Sequence, residues 1–151
     1  MIIGLDTNII CYALDKTYPE NEKVKNLLTT LSPENRVAIN PTVIHEAYHT
    51  LVFYLEWIPE EAAKRLSLLL RHPYIEYYNQ TQKTSLIALN LSVKHNLGGR
   101  DALLIANYIA NKTPTLYTHD KTLLKHQKIT HKNTTLTTKK TPSFQRCHIA
   151  N

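Results

Sequence analysis

The sequence predicts a three-layer α/β fold, with a central, mostly parallel sheet of about five strands flanked by helices. Short runs of β-branched residues alternate along the chain with longer segments of helical periodicity, as in parallel sheets with helical crossovers. The 151 residues suffice for one domain with a full hydrophobic core, and 42% of them are hydrophobic. No internal repeat or long linker divides the chain. We therefore expect one domain over residues 1–144 and a short tail over 145–151.

Short apolar runs predict the strands. The run MIIGLD ends at Asp6, and the run TLYTHD ends at Asp120. The Thr- and Lys-rich segment 128–140 predicts one further strand, around Leu136 and at the edge of the sheet. The remaining predicted strands are RVAIN at 36–40 and YIEYY at 74–78.

Helices are predicted where apolar residues recur at intervals of three and four. One such helix runs over 42–56, with an apolar face that includes Ile44 and Tyr48. Another begins at Pro59. Proline lacks a backbone N–H, but the N–H groups of the first helical turn make no intrahelical hydrogen bond, so proline is tolerated there. A third stops before Gly98 and Gly99, residues typical of a helix C-terminus. The predicted helices cover residues 21–31, 42–56, 59–72, 84–96, 100–111 and 121–126.

Composition and charge limit the functional classes. The net charge is +6, which suits an anionic partner such as nucleic acid but is explained equally well by solubility. No apolar run approaches the roughly 20 residues of a membrane helix, and no basic segment precedes the apolar start as in a signal peptide. The two cysteines, Cys11 and Cys147, form neither a disulfide framework nor a metal knuckle. We expect a cytoplasmic protein without a membrane partner.

Four acidic residues lie where strands end or helices begin. Asp6 and Asp120 end strands, Asp101 follows the two glycines at a helix start, and Glu46 lies early in the helix after the second strand. Ligands of open parallel sheets bind beyond the carboxyl ends of the strands, so we expect these acids to converge there. Taken singly, the aspartates are better explained as turn, first-turn or N-cap residues, and only their joint occurrence favours a shared site. The remaining aspartate, Asp15, is interpreted as a loop residue.

Such a cluster of carboxylates favours a bound metal ion. Like charges a few ångströms apart repel, and a hard divalent cation removes that repulsion. Ligand sets made only of oxygen select Mg²⁺ or Mn²⁺ over zinc, and one or two ions fit the cluster. An acidic metal site in a basic protein predicts a phosphodiesterase that acts on nucleic acid.

Four segments carry a resemblance to a known family. In order and spacing, GLDTNII, VIHEAYHTL, GGRDALLIANYI and LYTHDKTLL resemble the four acidic motifs of the PIN-domain ribonucleases. The chain looks most like the small VapC-type toxins of toxin–antitoxin systems. The resemblance extends from Met1 to about Phe144, where TPSF is similar to the closing segment of the family. It implies a PIN-like fold for the whole domain.

The resemblance also implies an activity. The family cleaves RNA through a metal-activated water that attacks the phosphodiester in line and leaves 5′-phosphate and 3′-hydroxyl ends. Members commonly form homodimers, and the toxins are neutralised by a cognate antitoxin. Asn8 matches a residue that orients the first aspartate, and Thr118 matches a hydroxyl beside the last acid. Arg100 is a candidate for pairing with a carboxylate or with the substrate phosphate. The catalytic, metal-binding acids would be Asp6, Glu46, Asp101 and Asp120.

Three alternatives stay open. HEAYH matches the zinc-protease pattern H-E-x-x-H, in which His45 and His49 would bind zinc. Against this, Val52 and Leu55 stand where the extended pattern has glycine and a third histidine, and zinc does not account for the three aspartates. The other two alternatives are a housekeeping PIN nuclease without an antitoxin and a catalytically silent RNA-binding module of the same fold.

Overall fold

The computed structural model describes residues 1–142, and the predicted tail over 145–151 lies outside these residues. The described chain contains both strands and helices in the alternating order that the sequence predicts. The strands are β1 (Ile2–Leu5), β2 (Arg36–Ile39), β3 (Ile75–Tyr77), β4 (Thr115–Tyr117), β5 (Lys128–His131) and β6 (Thr134–Lys139). The helices are α1 (Thr7–Leu14), α2 (Asn21–Thr29), α3 (Pro41–His49), α4 (Pro59–Leu70), α5 (Gln82–His95), α6 (Gly99–Ala110) and α7 (Lys121–His126), and a π-helical turn spans Thr50–Tyr54.

The strands form one sheet in the order β3-β2-β1-β4-β6-β5. All neighbours are parallel except β5 and β6, so the predicted α/β fold with a mostly parallel sheet is confirmed. From β1 the chain adds β2 and β3 on one side and later returns to add β4 on the other side. The direction of winding therefore reverses between β1 and β4. In open α/β sheets, this switch point is where ligands bind.

The sheet has six strands because the segment 128–140 forms a hairpin instead of a single edge strand. A two-residue turn with Lys132 at a φ of 52° joins β5 to β6. The predicted strand around Leu136 is β6, which pairs with β4 inside the sheet, whereas β5 forms the edge. Ile129 and Leu136 are both fully buried, so the hairpin is held by the core as well as by its own hydrogen bonds.

Helix α1 is absent from the sequence prediction. Its residues Ile9 and Ile10 continue the apolar, β-branched run of the first strand, so no polar face marks a helix. Both side chains are fully buried, which removes the need for a polar face. The local start signal is Asp6, whose carboxylate accepts a hydrogen bond from the backbone N–H of Thr7.

Two helix ends differ from their predicted form. The predicted helix over 42–56 is α-helical only to His49, beyond which the chain forms the π-helical turn. Helix α5 ends at His95 and is capped by Asn96, whose left-handed backbone (φ 52°) takes the place of the glycine cap predicted at Gly98 and Gly99. Asparagine tolerates this conformation better than most residues. Gly98 instead caps the start of α6, and Gly99 is its first residue.

Two buried polar contacts fix the helices that carry the predicted acids. The Tyr108 hydroxyl on α6 donates to the Leu5 carbonyl at 2.6 Å, and its ring would meet a Cβ at Gly4 at 3.0 Å. Glycine is thus required where α6 approaches β1 so closely. The Asn40 amide donates to the Asn107 side chain at 3.1 Å, which joins the start of α3 to α6. Within residues 1–142, no helix has the length and apolar character needed to cross a membrane.

Candidate functional site

A cavity of about 400 Å³ opens beyond the carboxyl ends of β1 and β4, at the switch point of the sheet. All four predicted acids lie on its wall, together with Asn8 and Arg100, so the expected convergence of these segments is present in the fold. The lining residues are Asp6, Thr7, Asn8, Cys11, Tyr12, Tyr18, Glu46, Thr50, Arg100, Asp101 and Asp120.

Asp6 is the most buried of the four acids, with 2% of its surface exposed. Besides the cap contact with Thr7 at 2.7 Å, it accepts a hydrogen bond from the Thr118 hydroxyl at 2.7 Å and one from Arg100 Nη2 at 2.9 Å. Three donors from three parts of the chain therefore hold this carboxylate. Its orientation is fixed before any ligand arrives.

Arg100 contacts three of the four acids. Its Nε donates to Glu46 Oε2 at 2.7 Å, its Nη1 to Asp101 Oδ1 at 2.8 Å, and its Nη2 to Asp6 Oδ1 at 2.9 Å. Nη2 also donates to the Thr7 hydroxyl at 2.8 Å. Burial lowers the pKa of Arg100, but the hydrogen bond to Glu46 and the charge of Asp6 raise it more, so the guanidinium stays protonated. The sequence suggested either a carboxylate or a substrate phosphate as the partner of Arg100, and the structure shows pairing with carboxylates.

Asp120 also lines the cavity and is held by contacts of its own. It caps α7, where its Oδ1 accepts hydrogen bonds from the backbone N–H groups of Thr122 at 2.8 Å and Leu123 at 3.2 Å. The hydroxyl of Thr118 accepts from the Asp120 backbone N–H at 3.0 Å while donating to Asp6. Thr118 thus couples the positions of the first and last acids, which extends its predicted role beside Asp120.

Asn8 and Cys11 complete the wall of the cavity near Asp6. Asn8 lines the cavity, and its side-chain oxygen is buried and has no hydrogen-bond partner among the described residues. Its role in orienting Asp6 stays a prediction, because Asp6 takes its side-chain hydrogen bonds from other residues. Burial raises the pKa of the Cys11 thiol to about 12, so the cysteine is protonated at neutral pH and unsuited to act as a nucleophile.

The donor set suits a hard divalent cation. The available atoms are carboxylate and amide oxygens, and one guanidinium neutralises only one of the three carboxylates that it contacts. Among residues 1–142, no three His, Cys, Asp or Glu side chains stand close enough together to hold a metal as they are. The oxygens converge on Arg100 instead. The oxygen ligands are therefore of the type that binds Mg²⁺ or Mn²⁺. In this structure, however, the carboxylate oxygens are arranged around the guanidinium of Arg100.

The HEAYH segment contributes one residue to this cavity. Glu46 hydrogen-bonds Arg100 and the Thr7 hydroxyl, whereas His45 and His49 are exposed and lie outside the cavity lining. The ring of His49 instead contacts Phe53, at a centroid distance of 4.9 Å. The glutamate thus faces the carboxylate cluster and the two histidines do not share its environment.

Comparison with known protein families identifies the family of this chain. A sequence profile of the PIN domain matches residues 3–129. The chain belongs to the PIN domain family. This match confirms the resemblance to the PIN-domain family that the four acidic motifs carry. A search of curated protein sequences gives no match.

Solved structures share this PIN fold. Mycobacterium tuberculosis VapC20, described as a Sarcin-Ricin loop cleaving toxin, superposes with a TM-score of 0.67 and 17% identity, over 79% of this chain and 90% of VapC20. VapBC2 from Rickettsia felis, solved bound to a DNA fragment from its promoter, gives 0.64 and 24%, over 83% and 92%. VapBC-1 from nontypeable Haemophilus influenzae gives 0.63 and 17%, over 93% and 98%. At these identities, the similarity establishes a common fold.

Sequence reasoning missed several residues that shape the site of this PIN domain. Thr7 contacts both Glu46 and Arg100, yet it was absent from the predicted set. The buried residues Asn40 and Asn107 set the distance between α3 and α6, and only an asparagine before a proline, typical of a helix start, signals the first of them. Asp15, interpreted as a loop residue, is buried at the C-terminal end of α1.

Proposed function

We propose that this PIN domain is a Mg²⁺- or Mn²⁺-dependent endoribonuclease and the toxin of a toxin–antitoxin pair. The observation that carries the proposal is the convergence of four acids from separate segments on one cavity at the switch point of the sheet. Carboxylates in surplus over their cation are unfavourable unless a ligand offsets their charge. Membership of the PIN domain family supports the proposal that this ligand is a metal ion used in phosphodiester hydrolysis.

The metal would be held by Asp6, Glu46, Asp101 and Asp120. The chemistry that a bound Mg²⁺ or Mn²⁺ supplies is the ionisation of a water molecule and the neutralisation of charge on the phosphate. The protein contributes preorganisation, because the capped ends of α1 and α7 hold two of the acids in fixed positions. Positioning of this kind lowers the barrier without reorganisation at the moment of reaction.

Basic residues near the cavity offer a path for the RNA backbone. Lys121 follows Asp120 directly and is exposed, as are Lys139 and Lys140. The carbonyl of Lys139 accepts a hydrogen bond from the backbone N–H of Thr118, which keeps this end of β6 beside the cavity. The net charge of +6 would attract a polyanion over a longer range. A substrate phosphate could therefore approach the acidic site between cationic side chains.

The toxin assignment rests on the structural relatives. Two of those named above are VapBC assemblies, so an antitoxin is the expected protein partner. A homodimer is proposed as well, and Phe53 and Tyr54, with 68% and 73% of their surfaces exposed, are apolar residues that such an interface could cover. A housekeeping nuclease without an antitoxin and a silent RNA-binding module are the competing outcomes of the tests below.

Endonuclease activity on a mixed single-stranded RNA tests the enzyme assignment. The wild type is compared with Asp101→Asn in Mg²⁺, Mn²⁺, Zn²⁺ or EDTA, and Glu60→Gln on the exposed start of α4 serves as the control for loss of a carboxylate. We expect cleavage by the wild type and by Glu60→Gln with Mg²⁺ or Mn²⁺, and none in EDTA or with Asp101→Asn. Activity that persists in Asp101→Asn or in EDTA would contradict the proposal.

Expression in a bacterial host tests the toxin assignment separately. Induction of the wild type should arrest growth, and induction of Asp101→Asn should not. Coexpression of the protein encoded by the neighbouring gene should restore growth if that protein is the antitoxin. RNA cleavage in vitro without growth arrest would instead favour the housekeeping nuclease. RNA binding without cleavage would favour the silent module.

A further inference from the structure

Arg100 occupies the centre of the acidic cluster, where three carboxylates meet. Its ion pairs reach Asp6 after β1, Glu46 on α3 and Asp101 on α6, at nitrogen–oxygen distances of 2.5 to 2.9 Å. These acids belong to segments far apart in sequence. The guanidinium is therefore the cation that joins the three segments in the described structure.

The three carboxylates that contact Arg100 are also among the four acids proposed to hold the metal ion. Asp6 Oδ1, Glu46 Oε2 and Asp101 Oδ1 all accept hydrogen bonds from it. The planar guanidinium holds its donors in a rigid fork, which spreads the acceptors around its edge. A Mg²⁺ ion instead requires oxygens about 2.1 Å away in octahedral geometry around a point. The two cations therefore require different arrangements of the same three carboxylates.

The side chain of Arg100 has room to leave the cluster. About a third of it is exposed (34%), and it lines a cavity of about 400 Å³ that is open to solvent. Arginine remains charged when it moves into water, so its release needs no proton transfer. Asp6 keeps its hydrogen bonds from Thr7 and Thr118 when Arg100 leaves. The first acid would thus stay in place while its cation is exchanged.

We propose that Arg100 is an internal counter-ion of the metal-free protein, and that a divalent cation binds by displacing its guanidinium from Asp6, Glu46 and Asp101. This inference rests on the proposed function, since it assumes a metal site at these acids. Arg100 stabilises the empty cluster and opposes metal binding. Once displaced, it stands at the cavity mouth as a cation for a phosphate, which joins the two roles suggested for it by the sequence.

Metal binding to Arg100 variants tests the exchange without measuring catalysis. Chelator-treated wild type, Arg100→Gln and Arg100→Lys are titrated with Mn²⁺ by calorimetry, and Arg71→Gln on the exposed end of α4 is the matched control. We expect Mn²⁺ to bind Arg100→Gln about tenfold more tightly than wild type, because binding no longer breaks charge-assisted hydrogen bonds. Arg100→Lys, which keeps the charge but loses the fork, should lie between them, and Arg71→Gln should match the wild type.

Thermal unfolding of the same four proteins gives a second readout. In EDTA, Arg100→Gln should unfold at a lower temperature than wild type, because its carboxylates lack a counter-ion, and Mn²⁺ should raise its unfolding temperature by a larger increment. Equal or weaker Mn²⁺ affinity in Arg100→Gln, with clear binding to wild type, would overturn the exchange and leave the metal site intact. If Mn²⁺ bound none of the four proteins, the proposed metal site would fall, and the exchange with it.

Discussion

Helix α1 has a buried aspartate at each end, and the two carboxylates have different surroundings. Asp6 precedes its first residue and Asp15 follows its last, with 2% and 5% of their surfaces exposed. The helix dipole favours a negative charge at the first position and disfavours it at the second. The helix dipole alone would therefore stabilise the carboxylate of Asp6 and destabilise that of Asp15.

The contacts of the two residues reverse that expectation. Asp15 accepts hydrogen bonds from the backbone N–H and hydroxyl of Thr17 and from Trp57 Nε1 at 2.6 Å. Burial raises the pKa of Asp15, but these hydrogen bonds lower it by more, so the net shift is downward. Asp6 also has three donors, but one of them is an arginine that it shares with two other acids. Burial of a carboxylate therefore does not by itself mark a functional site, and the surplus of carboxylates over cations is what distinguishes the surroundings of Asp6 from those of Asp15.

The largest expected difference between the two ends of α1 is in catalysis. Asp6→Asn should reduce the rate of RNA cleavage by at least about a hundredfold, because it removes an acid of the proposed metal site. Asparagine also caps helices well, so α1 should persist. The check is a cleavage assay combined with circular dichroism. Retention of most activity in a folded Asp6→Asn protein would remove Asp6 from the catalytic set.

The second difference is in the response of stability to metal. Mn²⁺ at about a hundred times its Kd should stabilise wild type by about 2.7 kcal/mol, because it binds only the folded state. The same increment is expected for Asp15→Asn, and none for Asp6→Asn. Urea unfolding with and without Mn²⁺ measures both. An increment that disappeared in Asp15→Asn as well would show that the two ends of α1 are not independent.

The third difference is in stability without metal. Asp15→Asn should lower the free energy of unfolding by about 1–3 kcal/mol, since it weakens charge-assisted hydrogen bonds in a buried site. Asp6→Asn should leave it unchanged or raise it, because removing one of three crowded charges relieves repulsion. Urea unfolding in EDTA distinguishes these outcomes. A greater loss for Asp6→Asn than for Asp15→Asn would contradict the charge-surplus account of the site.

The smallest expected effect is on acid stability. The pKa of Asp15 is lower in the folded protein than the value near 3.9 of an unfolded chain. Its stabilisation is therefore fully present above about pH 4 and is lost as the pH falls through the lower, folded pKa. Trp57→Phe removes one donor to this carboxylate, so its stability deficit relative to wild type should shrink below about pH 4. Urea unfolding at pH 7, 5, 4 and 3 gives the comparison. A deficit that stayed constant would mean that Trp57 stabilises the protein by packing alone.

Local sequence determined the positions of the acids along the chain. Asp6 and Asp120 each follow a short apolar strand and cap the next helix, and a cap depends only on the few residues that follow it. The alternation of strands and helices required a parallel sheet, and such a sheet brings the carboxyl ends of its strands to one edge. The α/β class and the membership of all four acids in one site could thus be predicted without a structure.

Tertiary structure alone decided which cation three of the acids share and which side chains hold Asp15. Arg100 and Asp6 are 94 positions apart, and Asp15 and Trp57 are 42 apart, so no local pattern connects them. The same holds for β6, whose place inside the sheet depends on pairing with β4, and for α1, whose apolar surface is stable as a helix only when neighbours cover it. Local sequence patterns indicate on which helix, strand or cap a residue lies. Its partner depends on how the whole chain packs, because burial and charge act through space.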